Sequence, residues 1–176
     1  MAATEVIKTA LERNWGMVDR ALEGLDDATL ARQVTDQCNS IAWLMYHMNR
    51  VVDIFVNTRL RSNNQLWIQD GWNQKFGMSD DSGEGSGSGW TAGQVAAWVP
   101  PSRDVLLGYY EAAKTSAREY LSSLTDADLD ASVPGTPGSE SRPAHDILGV
   151  LVFDNVVHGG QIAFLRGYHE GMGWFV

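Results

Sequence analysis

The sequence predicts an all-α fold, a four-helix bundle occupying residues 1–176 as a single domain, on three observations. Four segments repeat apolar residues at three- and four-residue steps, the spacing of one helical face. No stretch alternates with the two-residue period of a strand. A chain of 176 residues, 44% of them apolar, is long enough to bury a core without disulfide or metal staples.

The first helix spans about residues 4–22 and carries Ile7, Leu11, Trp15, Val18 and Leu22 on one stripe, with Gly24 ending it. The segment GLDDATL then reads as a turn and a short helical piece. The second helix starts with Asn39 or Ser40 as its N-cap and runs to about Arg61, placing Leu44, His47, Val51, Ile54 and Phe55 on one face. A long connection follows, about 62–100. Its middle, SDDSGEGSGSG, is polar and glycine-rich and is expected to be mobile. Thr91 and Gln94 then have capping-box spacing ahead of another short helix. The third helix, about 102–124, lies behind Pro101 and lines up Val105, Tyr109, Ala113, Tyr120 and Leu124. After the irregular SVPGTPGSESRP, the fourth helix opens near Pro143, where proline fits a first turn. It carries Ile147, Leu151, Asp154, His158, Ile162 and Leu165 and stops by Gly167 or Gly171. A connection as long as 62–100 can cross the end of a bundle, so neighbouring helices need not all be antiparallel.

Charge and composition exclude several function classes. With 22 acidic and 13 basic residues the net charge is −9, which repels a phosphate backbone. Arg50, Arg59 and Arg61 are interleaved with apolar residues and form no basic patch, so no nucleic-acid partner is expected. The lone Cys38 rules out an intrachain disulfide and fits a reducing compartment. Glu5, Lys8, Glu12, Arg13, Asp19 and Arg20 leave no room for a signal-peptide core. The uninterrupted apolar runs fall far short of the about 20 residues that a membrane span needs. The expectation is a soluble cytoplasmic protein with no membrane partner. Seven tryptophans promise large aromatic contacts, some exposed, compatible with a homodimer.

Four histidines are present, and His47 and His158 fall on the apolar stripes of their helices. Asp154 lies one turn before His158, so both side chains leave the same face. A carboxylate among Ile147, Leu151, Ile162 and Leu165 is costly to bury unpaired. Two arrangements would remove that cost: a divalent cation held by Asp154, His158 and His47, or an ion pair between Asp154 and a protonated His158. Asn155 and Gln161, three residues from His158 on either side, could orient it or bridge helices. Gly159 and Gly160 each cost a helix about 1 kcal/mol against alanine, which close helix packing or room for a substrate would explain. Trp43 and Tyr46 read as core or dimer-contact residues, Cys38 as an inert thiol, and His145 and His169 as surface residues.

Two segments carry a resemblance. DNVVHGGQIAFLRG, at 154–167, resembles the last-helix motif of the DinB/YfiT-like superfamily of metalloenzymes, in which a histidine, three residues, a second histidine and a GQI run recur. SIAWLMYHMNRVVD, at 40–53, resembles the second helix of that family, including the mycothiol-dependent maleylpyruvate isomerase N-terminal domain. The resemblance implies an up-down-down-up bundle with one divalent metal, zinc or nickel, held by three histidines. His47 and His158 match two of those ligands, and Asp154 stands where the family has the third. Two histidines and a carboxylate suit zinc or non-haem iron, and the anionic ligand makes a bound water a weaker acid. The implied activity is a metal-dependent transferase or isomerase in which a low-molecular-weight thiol is activated for attack on a small molecule. Hydrolysis by a metal-bound water is an alternative that needs a general base, and no spare carboxylate stands near the motif. A non-catalytic bundle that binds a small ligand or partner, its metal site degenerate, is the other.

Overall fold

The structure, a computed structural model, describes residues 3–79, 85–135 and 138–175. Helix α1 is Ala3–Leu22, α2 is Asp27–Ala31 and α3 is Ile41–Asp53, which continues without a break as a π-helical stretch, Ile54–Leu60. Short helices α4 (Leu66–Gln69), α5 (Trp72–Lys75) and α6 (Ala92–Ala97) punctuate the long connection. Helices α7 (Arg103–Ser123) and α8 (Ala144–Glu170) complete the bundle.

The signals read from sequence act as caps where they were expected. The Ser40 hydroxyl accepts from the Trp43 amide and starts α3, and Thr91 with Gln94 forms a closed capping box on α6. Helices α4 and α5 and a small β-ladder were not anticipated. Ser132–Val133 and Arg142–Pro143 form a two-stranded antiparallel ladder, β1 and β2, with Val133 opposite Arg142. Two residues per strand are too few for a period-2 pattern to register. Their role is local: the Ala144 amide donates to the Ala131 carbonyl and seats the start of α8.

Cross-helix contacts fix the topology. Asn14 meets Asn155, and Met17 shares a hollow with Ala163, so α1 and α8 run parallel. Glu12 pairs with Arg118 and Asp19 with Lys114, which makes α1 and α7 antiparallel. Asp53 meets Tyr109 and Asn57 meets Ser116, so α3 and α7 are parallel. His47 meets Asp154 while Phe55 packs on Ile147, so α3 opposes α8. The bundle is therefore up-down-down-up, and α8 lies between α1 and α3. Its core holds Leu11, Trp15, Met48, Tyr110, Leu151 and Ile162, all essentially inaccessible. Burial of each such side chain stabilises by about 1.5–3 kcal/mol.

A buried polar joint ties the connection to the bundle. The Asp53 carboxylate, fully buried, accepts from the Leu66 and Trp67 amides, the Asn57 side chain and the Tyr109 hydroxyl at 2.8–2.9 Å. Arg50, one turn earlier and equally buried, lies 3.6 Å from Asp53 and over the Trp67 ring. Its Nε donates to the Gly85 carbonyl. Burial and the Asp53 charge push the Tyr109 hydroxyl up, so it stays a donor. Of the stretch expected to be mobile, residues 80–84 lie outside the described residues. Residues 85–89 are seated on α3: Gly87 has φ +82°, and a Cβ there would stand 3.2 Å from Tyr46 and 3.3 Å from Trp43. Glycine is needed both for the left-handed backbone and for the close approach.

Helix α8 combines interrupted apolar runs, as its sequence shows, with a high mean hydropathy, a combination that core helices also show. By length and composition it is apolar enough to cross a membrane. Asp154, His158 and its glycines interrupt every apolar run, yet the mean hydropathy stays high.

Two measurements test this packing. Gly159 lies against Asn14, and a Cβ there would overlap the Asn14 side-chain amide, whereas Gly16 faces open space. Gly159→Ala is expected to destabilise by about 1–3 kcal/mol, and Gly16→Ala to stabilise by up to about 1 kcal/mol, both read from denaturant midpoints. Asp53→Ala strands the buried Arg50 charge and is expected to lower unfolding free energy by about 3–5 kcal/mol.

Candidate metal centre

Three side chains from two helices meet at one point. Antiparallel packing of α3 on α8 brings His47 to the level of Asp154 and His158, and one helical turn stacks the latter two. His47 Nε2 lies 3.3 Å from Asp154 Oδ2, and His158 Nε2 lies 3.5 Å from the same oxygen. The ligand-capable atoms of all three lie within 4.8 Å of one another, and no further histidine, cysteine or carboxylate joins this group among the described residues. Asp154 and His158 sit at the edge of the α8 core stripe, with side chains 17% exposed, and His47 is more deeply buried.

The outer nitrogens decide the tautomers. His47 Nδ1 is 2.8 Å from the Ser86 carbonyl, which can only accept, so Nδ1 carries the hydrogen. His158 Nδ1 is 2.7 Å from Gln161 Oε1, and the same argument applies. In the neutral rings both Nε2 atoms then present lone pairs toward Asp154 Oδ2, where three electron-rich atoms face one another. That arrangement repels itself unless a cation, a proton or a metal ion, sits among them. Asp154 Oδ1 is buried and has no hydrogen-bond partner, so an acceptor remains unsatisfied at the same place.

A divalent ion fits these residues. Donors about 2.1 Å from a common centre at the tetrahedral angle stand roughly 3.4 Å apart; Asp154 Oδ2 lies 3.3 and 3.5 Å from the two nitrogens, and all three ligand atoms lie within 4.8 Å of one another. Histidine ligands characteristically donate their second N–H to a carbonyl or carboxylate, as both rings do here. The donor set, two imidazoles and one carboxylate, suits zinc or non-haem iron.

The protonation tendencies agree with a cation-seeking cluster. Burial pushes the Asp154 carboxyl up, but hydrogen bonds with His158 and His47 outweigh it and hold the group below its ordinary value. The Asp154 hydrogen bond raises His158 against the opposing effect of burial, with Gln161 adding to the rise.

The remaining sequence candidates divide. Gln161 orients His158. Asn155 does not reach the site: it is fully buried toward α1, where its Oδ1 accepts from Trp15 Nε1 and its carbonyl accepts from Asn14. Helical spacing gave Asn155 and Gln161 equal standing, but α1 lies on one side of the histidine and solvent on the other. Gly159 marks close helix packing, whereas Gly160 faces open space. Trp43 stacks on the His47 ring at 5.2 Å, and both it and Tyr46 are core residues. His145 is half-exposed at the surface, and His169 accepts from Arg32. Cys38 lines a groove of about 460 Å³ together with Val34, Leu44, Gly160, Gln161 and Phe164. Arg50 and Ser86, which hold the His47 side of the site, escaped sequence reasoning: one acts through a buried backbone contact and the other through its carbonyl.

The sequence of residues 10–162 matches the model of the DinB superfamily. The fold is similar to that of a conserved protein from Enterococcus faecalis solved by crystallography, with a TM-score of 0.81 and 22% identity. That alignment covers 98% of this chain and 99% of the other, and at this identity the likeness concerns the fold. No curated protein matches the chain.

The tautomer argument makes proton and metal rivals, and the pH response follows. A raised histidine contributes stability that is full below its unfolded value, about 6.5, and is lost as pH rises through its higher folded value. A lowered carboxyl contributes stability that is full above about 3.9 and is lost as pH falls through its lower folded value. In metal-free protein the melting-temperature gap between wild type and Asp154→Asn should therefore be widest from about pH 4 to 6.5 and shrink on either side. Metal affinity should rise with pH through the His158 titration, with proton release seen by calorimetry in buffers of differing ionisation enthalpy.

Proposed function

This chain belongs to the DinB superfamily, and on that premise we propose that it is a metal-dependent enzyme of the thiol-transferase or isomerase type, with His47, Asp154 and His158 as ligands of one divalent ion, zinc or nickel by family precedent and iron by donor set. The observation that carries the reading is the convergence of two Nε2 lone pairs and a carboxylate oxygen on one point, with an unpartnered Asp154 oxygen beside it. A bound divalent ion supplies Lewis-acid activation, lowering the pKa of a thiol or water that occupies an open position.

The chain's own residues prepare that position. Ser86 and Gln161 hold the imidazoles with Nε2 inward. Trp43, stacked on His47, shields that ring from water. The groove that begins at Gln161 is walled mainly by apolar side chains and has room for the body of a small substrate, such as an electrophile or a low-molecular-weight thiol. Thiol chemistry is favoured over hydrolysis because the cluster has no additional carboxylate or histidine to act as general base among the described residues.

The test begins with metal content of protein purified without added metal, followed by titration with zinc, nickel and iron(II). A free metal concentration of 100 times Kd should stabilise the fold by about 2.7 kcal/mol. Gln161→Ala should weaken binding about 10–100-fold, and Asp154→His should tighten it. With metal loaded, a low-molecular-weight thiol should shift melting further. A protein that neither retains nor responds to any of the three ions would instead be a ligand-binding bundle with a protonated Asp154–His158 pair, and the enzymatic reading would fall.

A further inference from the structure

The far end of α3 departs from regular helix. Ile54–Leu60 winds as π-helix, which takes more residues per turn than an α-helix and recurs at functional sites. The Arg61 amide donates to the Val56 carbonyl, and the Asn63 amide donates to the Asn57 carbonyl at 2.7 Å. Between them Ser62 takes a left-handed backbone, φ +55°, which a residue other than glycine adopts at a cost. This irregular end walls a hollow of about 430 Å³ together with α4 and α7, a volume within the range of small-ligand sites. Asn57, on its wall, stands roughly 15 Å along the helix from His47 at 1.5 Å per residue, so the hollow is separate from the metal centre.

The wall is fixed from inside the bundle. Asn57 and Ser116 both line the hollow and are buried, 3% and 7% exposed. Asn57 Nδ2 donates to the Asp53 carboxylate, Ser116 Oγ donates to Asn57 Oδ1, and Arg61 donates to Ser116 Oγ. An unbroken hydrogen-bond chain thus runs from the buried Asp53 joint to the Arg61 guanidinium. Its last bond is long, 3.4 Å. Asp70 and Glu119 line the same hollow, yet neither they nor Arg61 form an ion pair among the described residues. Separated surface charges are ordinary. Here they share one walled space with a buried polar wall and the carboxamides of Asn63, Asn64 and Gln69.

We propose that this hollow binds a small basic amino acid, its carboxylate on Arg61 and its two cationic groups on Asp70 and Glu119. Charge decides the class. One guanidinium and two carboxylates answer one carboxylate and two cations, the charges of free lysine or arginine, and a guanidinium can take a carboxylate with two parallel hydrogen bonds. A neutral polyol would use the carboxamides and leave all three charges unanswered. A phosphate would meet the guanidinium but also both carboxylates, in a chain of net charge −9. Leu66 and Ala112 alone among the lining residues are apolar, enough for the short methylene stem of such a ligand.

The test uses the full chain freed of metal with EDTA, because amino acids also chelate metal ions. In calorimetric titrations L-lysine and L-arginine should each saturate a single site with a Kd below about 1 mM. Cadaverine, which lacks the carboxylate, and N-acetyl-L-lysine, which lacks the α-ammonium, should bind at least about tenfold more weakly. Arg61→Gln, and Asp70→Asn with Glu119→Gln, change exposed positions, so the helical circular dichroism signal should persist while affinity falls by a similar factor. Asp154→Asn should leave binding unchanged, which separates this outcome from that of the metal reading. The proposal is overturned by a Kd above about 1 mM for both amino acids, by glucose or inorganic phosphate binding as tightly as lysine, by binding that either set of variants leaves unchanged, or by binding that Asp154→Asn abolishes.

Discussion

The structure of the site depends on a pair of charges that never touch it. Asp53 and Arg50 are wholly buried, an expensive placement unless every hydrogen-bonding direction is used. Asp53 uses its oxygens on two amides at the start of the connection, on the Tyr109 hydroxyl of α7 and on Asn57. Arg50 reaches the middle of the same connection at the Gly85 carbonyl. The long connection is thus fastened to α3 at two points, although its described residues carry no sheet and only short helices. The next carbonyl, that of Ser86, is the one that fixes the His47 tautomer. Arg50, one turn from His47, therefore holds the segment whose carbonyl controls which nitrogen faces inward.

That tautomer is what turns proximity into chemistry. Three polar side chains near one another are common on protein surfaces and carry little meaning by themselves. Here the outer nitrogens are committed to acceptors, so the inner ones have no hydrogen to offer Asp154 unless a ring takes up an additional proton. The Asp154 hydrogen bond raises His158, so a proton is favoured there, and a metal ion would compete with it. With an aspartate where the resemblance implies a third histidine, the three side chains still form a group that could hold a metal ion. The aspartate changes the balance of that group, adding a negative charge that strengthens attraction for any cation while weakening the acidity of whatever the cation binds.

Much of this was legible in the sequence, and the unread part has a common cause. The four helices, the Ser40 cap, the Thr91–Gln94 box and the shared face of Asp154 and His158 follow from local spacing, because helix geometry maps sequence distance onto faces; His47 joined them only as one of two arrangements and through the family resemblance. The directions of the bundle came from resemblance, and the contacts bear them out. What spacing cannot report is which neighbour a face will meet. Asn155 and Gln161 flank His158 symmetrically in sequence, yet one turns to Trp15 on α1 and the other holds the ring. Arg50 was read only as a member of an absent basic patch. The Ser86 carbonyl leaves no side-chain signature, and glycine-rich composition suggested a loose chain where Gly87 in fact lies flat on two aromatic rings.

Helix α8 gathers these threads because it has three faces with three tasks. One face, Ile147, Leu151, Asn155 and Ile162, builds the core. A second, the border of Asp154, His158 and Gln161, carries the candidate chemistry. The third is apolar and faces outward. Since a helix has only about 3.6 residues per turn, no polar strip separates the second face from the third: Val157 and Gly160 belong to the exposed face and to the groove beside the histidine. Whatever covers the outer face then also borders the groove that Gln161 lines. A sequence that keeps glycine at 160, at a helix-interior cost of about 1 kcal/mol and with no neighbour in the bundle that demands it, preserves space on that shared border. The groove at Gln161 and the outer apolar face therefore share the backbone of one helix.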